Sequence, residues 1–176
     1  MINKLSLGIA TYLKQIDNDN TPSIDVMKYA LYIILHNIIT IISIVLIAFV
    51  LQEPISTLIA LAYFMVLRFF AGGYHLHSST WCTILSITFV CVAPFIELSM
   101  VWIIIVNAIA VILLAIYSPR NFKGYARIPE KYYPIMKVVA IAIGSSNFIW
   151  LDSSLAAILI LQSALLLPPE KGGEQA

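Results

Sequence analysis

Charge is what this sequence has least of. Ten Lys and Arg and nine Asp and Glu make up 11% of 176 residues, against 61% hydrophobic, and the mean hydropathy is +0.94. A soluble domain of this size cannot hide so much apolar side chain in one core, so composition excludes an ordinary soluble globule and points to lipid as the main solvent. The net charge of +1 offers no electrostatic footprint for a nucleic acid. Only two cysteines occur, Cys82 and Cys91, both in or beside apolar runs, which excludes a disulfide framework and leaves at least one thiol to be explained otherwise. No short apolar stretch with a basic start and a small-residue cleavage site opens the chain; the first long apolar run begins near residue 29, so no segment reads as a removable signal. Internal repeats and low-complexity segments are lacking too.

What is present is a succession of apolar runs. Leu5, Ile9, Tyr12, Leu13 and Ile16 share one helical face, with Lys4 and Lys14 available for a wetter side, so residues 1–22 read as an amphipathic segment lying in the membrane interface. Asp17-Asn-Asp-Asn-Thr-Pro22 ends it in turn-forming residues. Spanning helices are expected over 29–51 and 55–70, separated by Gln52-Glu-Pro54. Residues 81–117 are about twice the length that one crossing helix needs (~20 residues). Pro94 and Glu97-Leu-Ser99 divide them into spans 81–97 and 100–117. A proline-rich loop over 118–134 precedes two shorter spans, 135–151 and 153–167, and the tail 168–176 reads as disordered. The expectation is one membrane domain over 1–176: an all-α integral membrane protein with about six transmembrane helices and an N-terminal interfacial helix.

Charge placement tests that count independently. With the N-terminus in the cytoplasm and strict alternation, the inner segments hold Lys4, Lys14, Lys28, Arg68, Arg120, Lys123, Arg127, Lys131, Lys137 and Lys171, which are all ten basic residues. The outer turns keep Glu53, Glu97 and Asp152. Positive residues concentrate on the cytoplasmic side of membrane proteins, and a wrong span count would scramble the bias. Both termini are thus expected in the cytoplasm of a multi-pass cell-membrane protein.

The chemistry-bearing stretch follows the second span: Arg68-Phe-Phe-Ala-Gly-Gly-Tyr-His75-Leu-His-Ser-Ser-Thr-Trp-Cys82. On one straight helix, His75 and Cys82 would share a face but stand about 10 Å apart along the axis, too far for proton transfer. Gly72-Gly73 can break the helix, and Ser78, Ser79 and Thr80 are suited to cap the next. A turn over 73–79 would then fold His75 back over the start of the third span. With Ser79 as cap, Cys82 is the third residue of that helix, near its free N–H groups and positive dipole end. Such a position beside an imidazolium favours a thiolate nucleophile, and the same N–H groups can stabilise an oxyanion. From spacing alone, a chance pairing of an interfacial His with a helix-start Cys is the competing reading. Cys91, nine residues on, faces the other side of the helix among Val and Phe and reads as packing.

These residues resemble the accessory gene regulator B family, the quorum-sensing peptide-processing proteases of Gram-positive bacteria. The resemblance rests on Gly73-Tyr-His75 with Cys82 seven residues later, on six apolar spans behind an amphipathic N-terminus, and on Tyr117-Ser-Pro119 opening a basic loop that holds Pro129. It implies a membrane-embedded cysteine endopeptidase that needs no cofactor or metal. Such an enzyme cuts a short precursor peptide at its C-terminal side through a thioester and promotes cyclisation to a thiolactone or lactone. His75 corresponds to the base and Cys82 to the nucleophile, while Arg68, Gly73 and Ser79 fall on positions that the family motif uses. The substrate implied has an amphipathic N-terminus and an acidic tail, and a homodimer is implied as well. His77 departs from the pattern and competes with His75 as base; no neighbouring Asp or Asn orients either imidazole.

Other residues carry two readings each. Arg68 is an interfacial anchor, or it grips peptide carboxylates or braces the turn. Arg120, Lys123, Arg127 and Lys131 anchor the loop, or form a dock for an acidic peptide. His36 with Asn37 lies deep in the first span and suggests helix contacts or a part in the catalytic network, while Asn107, Asn147 and Gln162 read as interhelical hydrogen-bonding residues. A small transporter or channel using His36, Asn107 and Gln162 is the alternative function, although no paired Gly/Pro breaks mark two matching halves. A metal site from His75, His77 and Cys82 lacks a fourth ligand and a recognisable ligand spacing.

Overall fold

The computed structural model describes residues 2–74, 79–120 and 129–167, with Ser79 as backbone alone. It is helical throughout: α1 (Ile2–Ile16), α2 (Ile24–Val50), α3 (Pro54–Ala71), α4 (Ser79–Val92), α5 (Met100–Tyr117), α6 (Tyr133–Trp150) and α7 (Ser153–Ala164). Short 3-10 turns at Ala93–Phe95 and Glu130–Tyr132 precede α5 and α6. The chain forms two compact units, Met1–Leu46 and Ile47–Ala176.

In the first unit, α1 buries only its small residues Ser6 and Ala10, one turn apart. Leu5, Tyr12, Leu13 and Ile16 stay exposed, the face expected to enter a lipid interface. Lys14 donates to the carbonyls of Asn18 (2.6 Å) and Thr21 (2.8 Å), tying the following turn back to the last turn of the helix. The turn is closed by Asp17, whose carboxylate accepts the Asn20 backbone N–H at 3.0 Å; that bond holds its pKa below the ordinary carboxylate value. On α2, His36 stacks on Tyr32 one turn earlier, ring centroids 5.8 Å apart.

In the second unit, α5 packs against α6 and α7, and α3 lies against the same two helices. Their shared core holds Leu67, Ala71, Ala110, Leu114, Ala140, Leu159 and Leu166. Small residues let these helices approach closely, as helices do where lipid supplies no hydrophobic drive between them. A Cβ on Gly144 of α6 would stand 2.8 Å from Leu114 Cδ1 and 3.2 Å from Leu159 Cδ1. At the same crossing the Tyr63 hydroxyl of α3 donates to the Ile143 carbonyl at 3.1 Å.

The helix ends follow local chemistry. Pro54 occupies the first turn of α3, where its missing N–H costs nothing. The α4 helix stops at Val92, earlier than the expected 97, because Pro94 cannot extend the ladder and a 3-10 turn takes over. Between α6 and α7, Leu151 takes a left-handed φ of 51° and Asp152 caps α7 by accepting Leu155 N–H at 2.9 Å.

Three described helices, Ile24–Val50, Pro54–Ala71 and Met100–Tyr117, are long and apolar enough to cross a bilayer. The sequence reading counts six spans. The 14 residues of α4 and the 12 of α7 rise only about 21 and 18 Å, against a hydrocarbon thickness of about 30 Å.

Candidate functional site

The α3 helix ends at Ala71 because Gly72 adopts a φ of 73° and Gly73 one of 130°, conformations that suit glycine alone. The described segments around this break are bonded to one another. The Gly72 N–H bonds the Arg68 carbonyl at 3.0 Å, closing the helix. The Gly73 N–H donates to the Arg120 carbonyl (3.1 Å), and the Arg120 N–H donates back to Ala71 (3.1 Å), so the residues after α5 run as a short parallel bridge beside the glycines. Tyr74, the residue directly before His75, donates its N–H to the Leu165 carbonyl at the end of α7 (2.8 Å) and accepts Arg68 Nη2 at its own carbonyl (2.9 Å). Gln162 of α7 donates its Nε2 to the Gly72 carbonyl at 2.6 Å.

Gly73 is thereby pressed among polar groups: a Cβ there would lie 2.9 Å from Arg68 Nη1 and 3.4 Å from Gln162 Nε2. Two buried atoms in this knot, Arg68 Nη1 and Gln162 Oε1, have no hydrogen-bond partner among the described residues. A buried donor and a buried acceptor left open are unusual in a folded interior and mark a site where stability has yielded to something else.

Cys82 lies in the first turn of α4, half-buried and free. The helix begins at Ser79, so Ser79 is its first residue rather than its cap, and Cys82 is the fourth residue, not the third. The thiol nevertheless stays among the first N–H groups, which have no intrahelical acceptor. Arg68 is near enough for its guanidinium charge and Cys82 to interact electrostatically. Cys91 is buried and free on the opposite side of α4, as expected of a packing residue.

Of the residues singled out by sequence, Arg68, Gly73, Cys82 and Arg120 are therefore described in full and belong to the second unit. His75, His77, Lys123 and Arg127 lie outside the described residues, as does the Ser79 side chain. Arg120 is engaged within the fold: its Nη1 donates to the Leu166 carbonyl at 3.0 Å and its guanidinium covers the Tyr117 ring at 5.4 Å. Lys131 is exposed, with its ammonium 5.0 Å from the Tyr132 ring centroid. Asn107 and Asn147 do bond across α5 and α6, Asn147 Nδ2 donating to Asn107 Oδ1 at 3.1 Å. Gln162 binds the glycine turn instead of another helix. Its signal in the sequence was a lone amide in an apolar run, which cannot say what the amide reaches.

The outward faces of these helices are Ile, Leu, Val and Phe, with exposed Trp102 and Trp150 toward one end of the second unit and exposed Trp81 toward the other. Apolar walls with tryptophan at both rims define an all-helical membrane protein. The chain matches the accessory gene regulator B family over residues 2–166, and it belongs to that family. It is also 30% identical over 90 residues to an AgrB-like protein of Halalkalibacterium halodurans, a match covering 51% of this chain and 46% of that protein. The aligned part thus spans about half the length of this curated relative. No solved structure matches the chain.

Proposed function

We propose that this protein is a membrane-embedded cysteine endopeptidase that processes a precursor peptide into a cyclic quorum-sensing signal. The observation that carries the reading is the placement of Cys82 in the first turn of α4, within electrostatic range of Arg68, whose other contact holds Tyr74, the residue that leads into His75. Family membership supports a role in peptide processing.

In this reading His75 removes the Cys82 thiol proton as sulfur attacks the scissile carbonyl. Charge developing on the carbonyl oxygen is met by the open N–H groups of α4. Collapse of the tetrahedral species breaks the C–N bond, His75 returns the proton to the leaving amine, and the core peptide remains as a thioester on Cys82. A Cys or Ser within the peptide then attacks that thioester, closing a thiolactone or lactone and restoring the Cys82 thiol. The thioester keeps much of the acylating power of the cleaved bond, so ring closure needs no nucleotide, provided water is kept away from it.

The proposal extends to topology: six crossings, both termini and the site on the cytoplasmic side, and a homodimer. The short α4 and α7 then cross where the bilayer thins locally to match them. Arg120 serves the architecture of the site, which leaves Lys123, Arg127 and Lys131 as the cations for an acidic peptide tail.

The test is cleavage by the reconstituted full-length protein of the precursor encoded beside its gene, with mass spectrometry of Cys82. A covalent acyl adduct on Cys82 is expected, lost in Cys82→Ala, with cleavage lost in both Cys82→Ala and His75→Ala and kept in Cys91→Ala. Cleavage that survives without Cys82 overturns the mechanism.

A further inference from the structure

We infer that Gln162 is a positioning residue for the His75–Cys82 pair, acting through the glycine turn to which its side chain is bonded. The inference rests on the peptidase reading above. Gln162 sits on α7, fully buried, in a helix otherwise made of Leu, Ile, Ala and Ser. Its amide Nε2 donates to the Gly72 carbonyl at 2.6 Å, and Oε1 has no partner among the described residues. A side chain selected only to fill this space would be apolar, since a buried open carbonyl costs stability and an aliphatic group there would not.

The position explains the amide. Residues 72–74 are held from three sides: by Arg68 on Tyr74, by the Arg120 carbonyl on the Gly73 N–H, and by the end of α7 through Gln162 on Gly72 and the Leu165 carbonyl on Tyr74. Gly73 between them has no side chain of its own with which to fix its conformation. The glycine torsions of 73° and 130° are accessible but not enforced by glycine, which adopts many others as readily. Only outside bonds can select them. Gln162 supplies the one side-chain bond to Gly72 among the described residues, and the direction in which the chain leaves toward His75 depends on the torsions it selects. The unpartnered Arg68 Nη1 lies against the same turn, so Gln162 also limits where that guanidinium can settle.

The test reads the rate at which iodoacetamide alkylates Cys82 in the full-length protein, in a Cys91→Ala background so that one thiol reports. The second-order rate constant is followed from pH 6 to 9 on monodisperse protein, so that misfolded molecules, whose exposed thiols alkylate in a phase of their own, are removed beforehand. Gln162→Met removes the bond at nearly equal volume, and we expect it to slow alkylation roughly tenfold or more toward the value of His75→Ala. Gln162→Asn keeps the amide but shortens its reach, and should slow the reaction similarly, so a poorly folding Met variant does not decide the matter. Ser163→Ala is the control: it deletes a buried hydroxyl on the same helix that bonds Ala110 and Leu159 carbonyls, away from the turn. It should stay within about twofold of the parent, as loss of a bond that orients no reacting group does. Parent-like rates in both Gln162 variants overturn the inference while a His75-dependent rate leaves the peptidase reading standing. Equal slowing by Ser163→Ala overturns it as well, since the effect would then be general loosening. A rate indifferent to His75→Ala removes the reading and the inference together.

Discussion

The α7 helix carries a buried polar cluster at each end, and the two are built differently. At its start, Asn147 Nδ2 reaches Asn107 Oδ1 (3.1 Å) and the Asp152 carbonyl (3.0 Å), while Asn147 Oδ1 accepts Asp152 N–H (3.1 Å). Asp152 then caps the helix. The cluster joins three helices and turns the chain between two of them; of its buried side-chain atoms, Asn107 Nδ2 alone lacks a partner among the described residues. At the other end, Arg68, Tyr74, Arg120 and Gln162 converge on the left-handed glycines, and Arg68 Nη1, Gln162 Oε1 and Ser118 Oγ stand buried with no hydrogen-bond partner among the described residues. Polar groups in an apolar surrounding stabilise only when their hydrogen bonds are made. The first cluster is therefore what a fold needs in order to close a hairpin. The second leaves more donors and acceptors open among the described residues, and one of them belongs to Arg68, whose charge reaches Cys82.

Three substitutions sharpen or break this contrast. The largest effect is expected from Gly73→Ala. The new methyl meets Arg68 Nη1 at 2.9 Å and the φ of 130° is foreign to alanine, so precursor cleavage should fall by about a hundredfold. Undiminished cleavage per folded molecule would show that the glycine knot does not serve the chemistry. Next is Asn147→Ala, which orphans the Asn107 amide oxygen and the Asp152 N–H, while the Asp152 carbonyl keeps the Ala156 N–H. We expect a loss of about 2–4 kcal/mol in denaturant unfolding from detergent, with turnover of the remaining folded protein unchanged. A selective loss of turnover would erase the distinction between the clusters. The smallest is Asp152→Ala, which removes one helix cap and should cost about 1 kcal/mol by the same measurement, again without touching turnover.

The two ends of α7 also differ in how far they could be read from the chain. The break at Gly72-Gly73, the cysteine at a helix start and the division near Pro94 are consequences of residue chemistry within a few positions, and the structure has them. The register of α4 moved by one residue, since Ser79 begins the helix, and the helix end moved inward because a proline acts on the turn before it. The role of Arg120 was not legible. Its position in a basic loop suggested a membrane anchor or a dock for an acidic peptide, and neither reading names the Leu166 carbonyl and the Tyr117 ring that its guanidinium meets. Gln162 and Asn147 looked alike as lone amides in apolar runs. One binds a neighbouring helix, the other a turn 90 residues away in sequence.

By itself, then, the sequence determined that the solvent is lipid, where the helices break, and which thiol begins a helix, because each follows from local composition or from neighbours along the chain. Tertiary structure alone decided which buried amides are satisfied, that the end of α7 grips the glycine turn, and that Arg68 comes near Cys82. These are contacts between distant segments, and a hydrogen bond is fixed by where its partners meet in space rather than by the residues on either side of them.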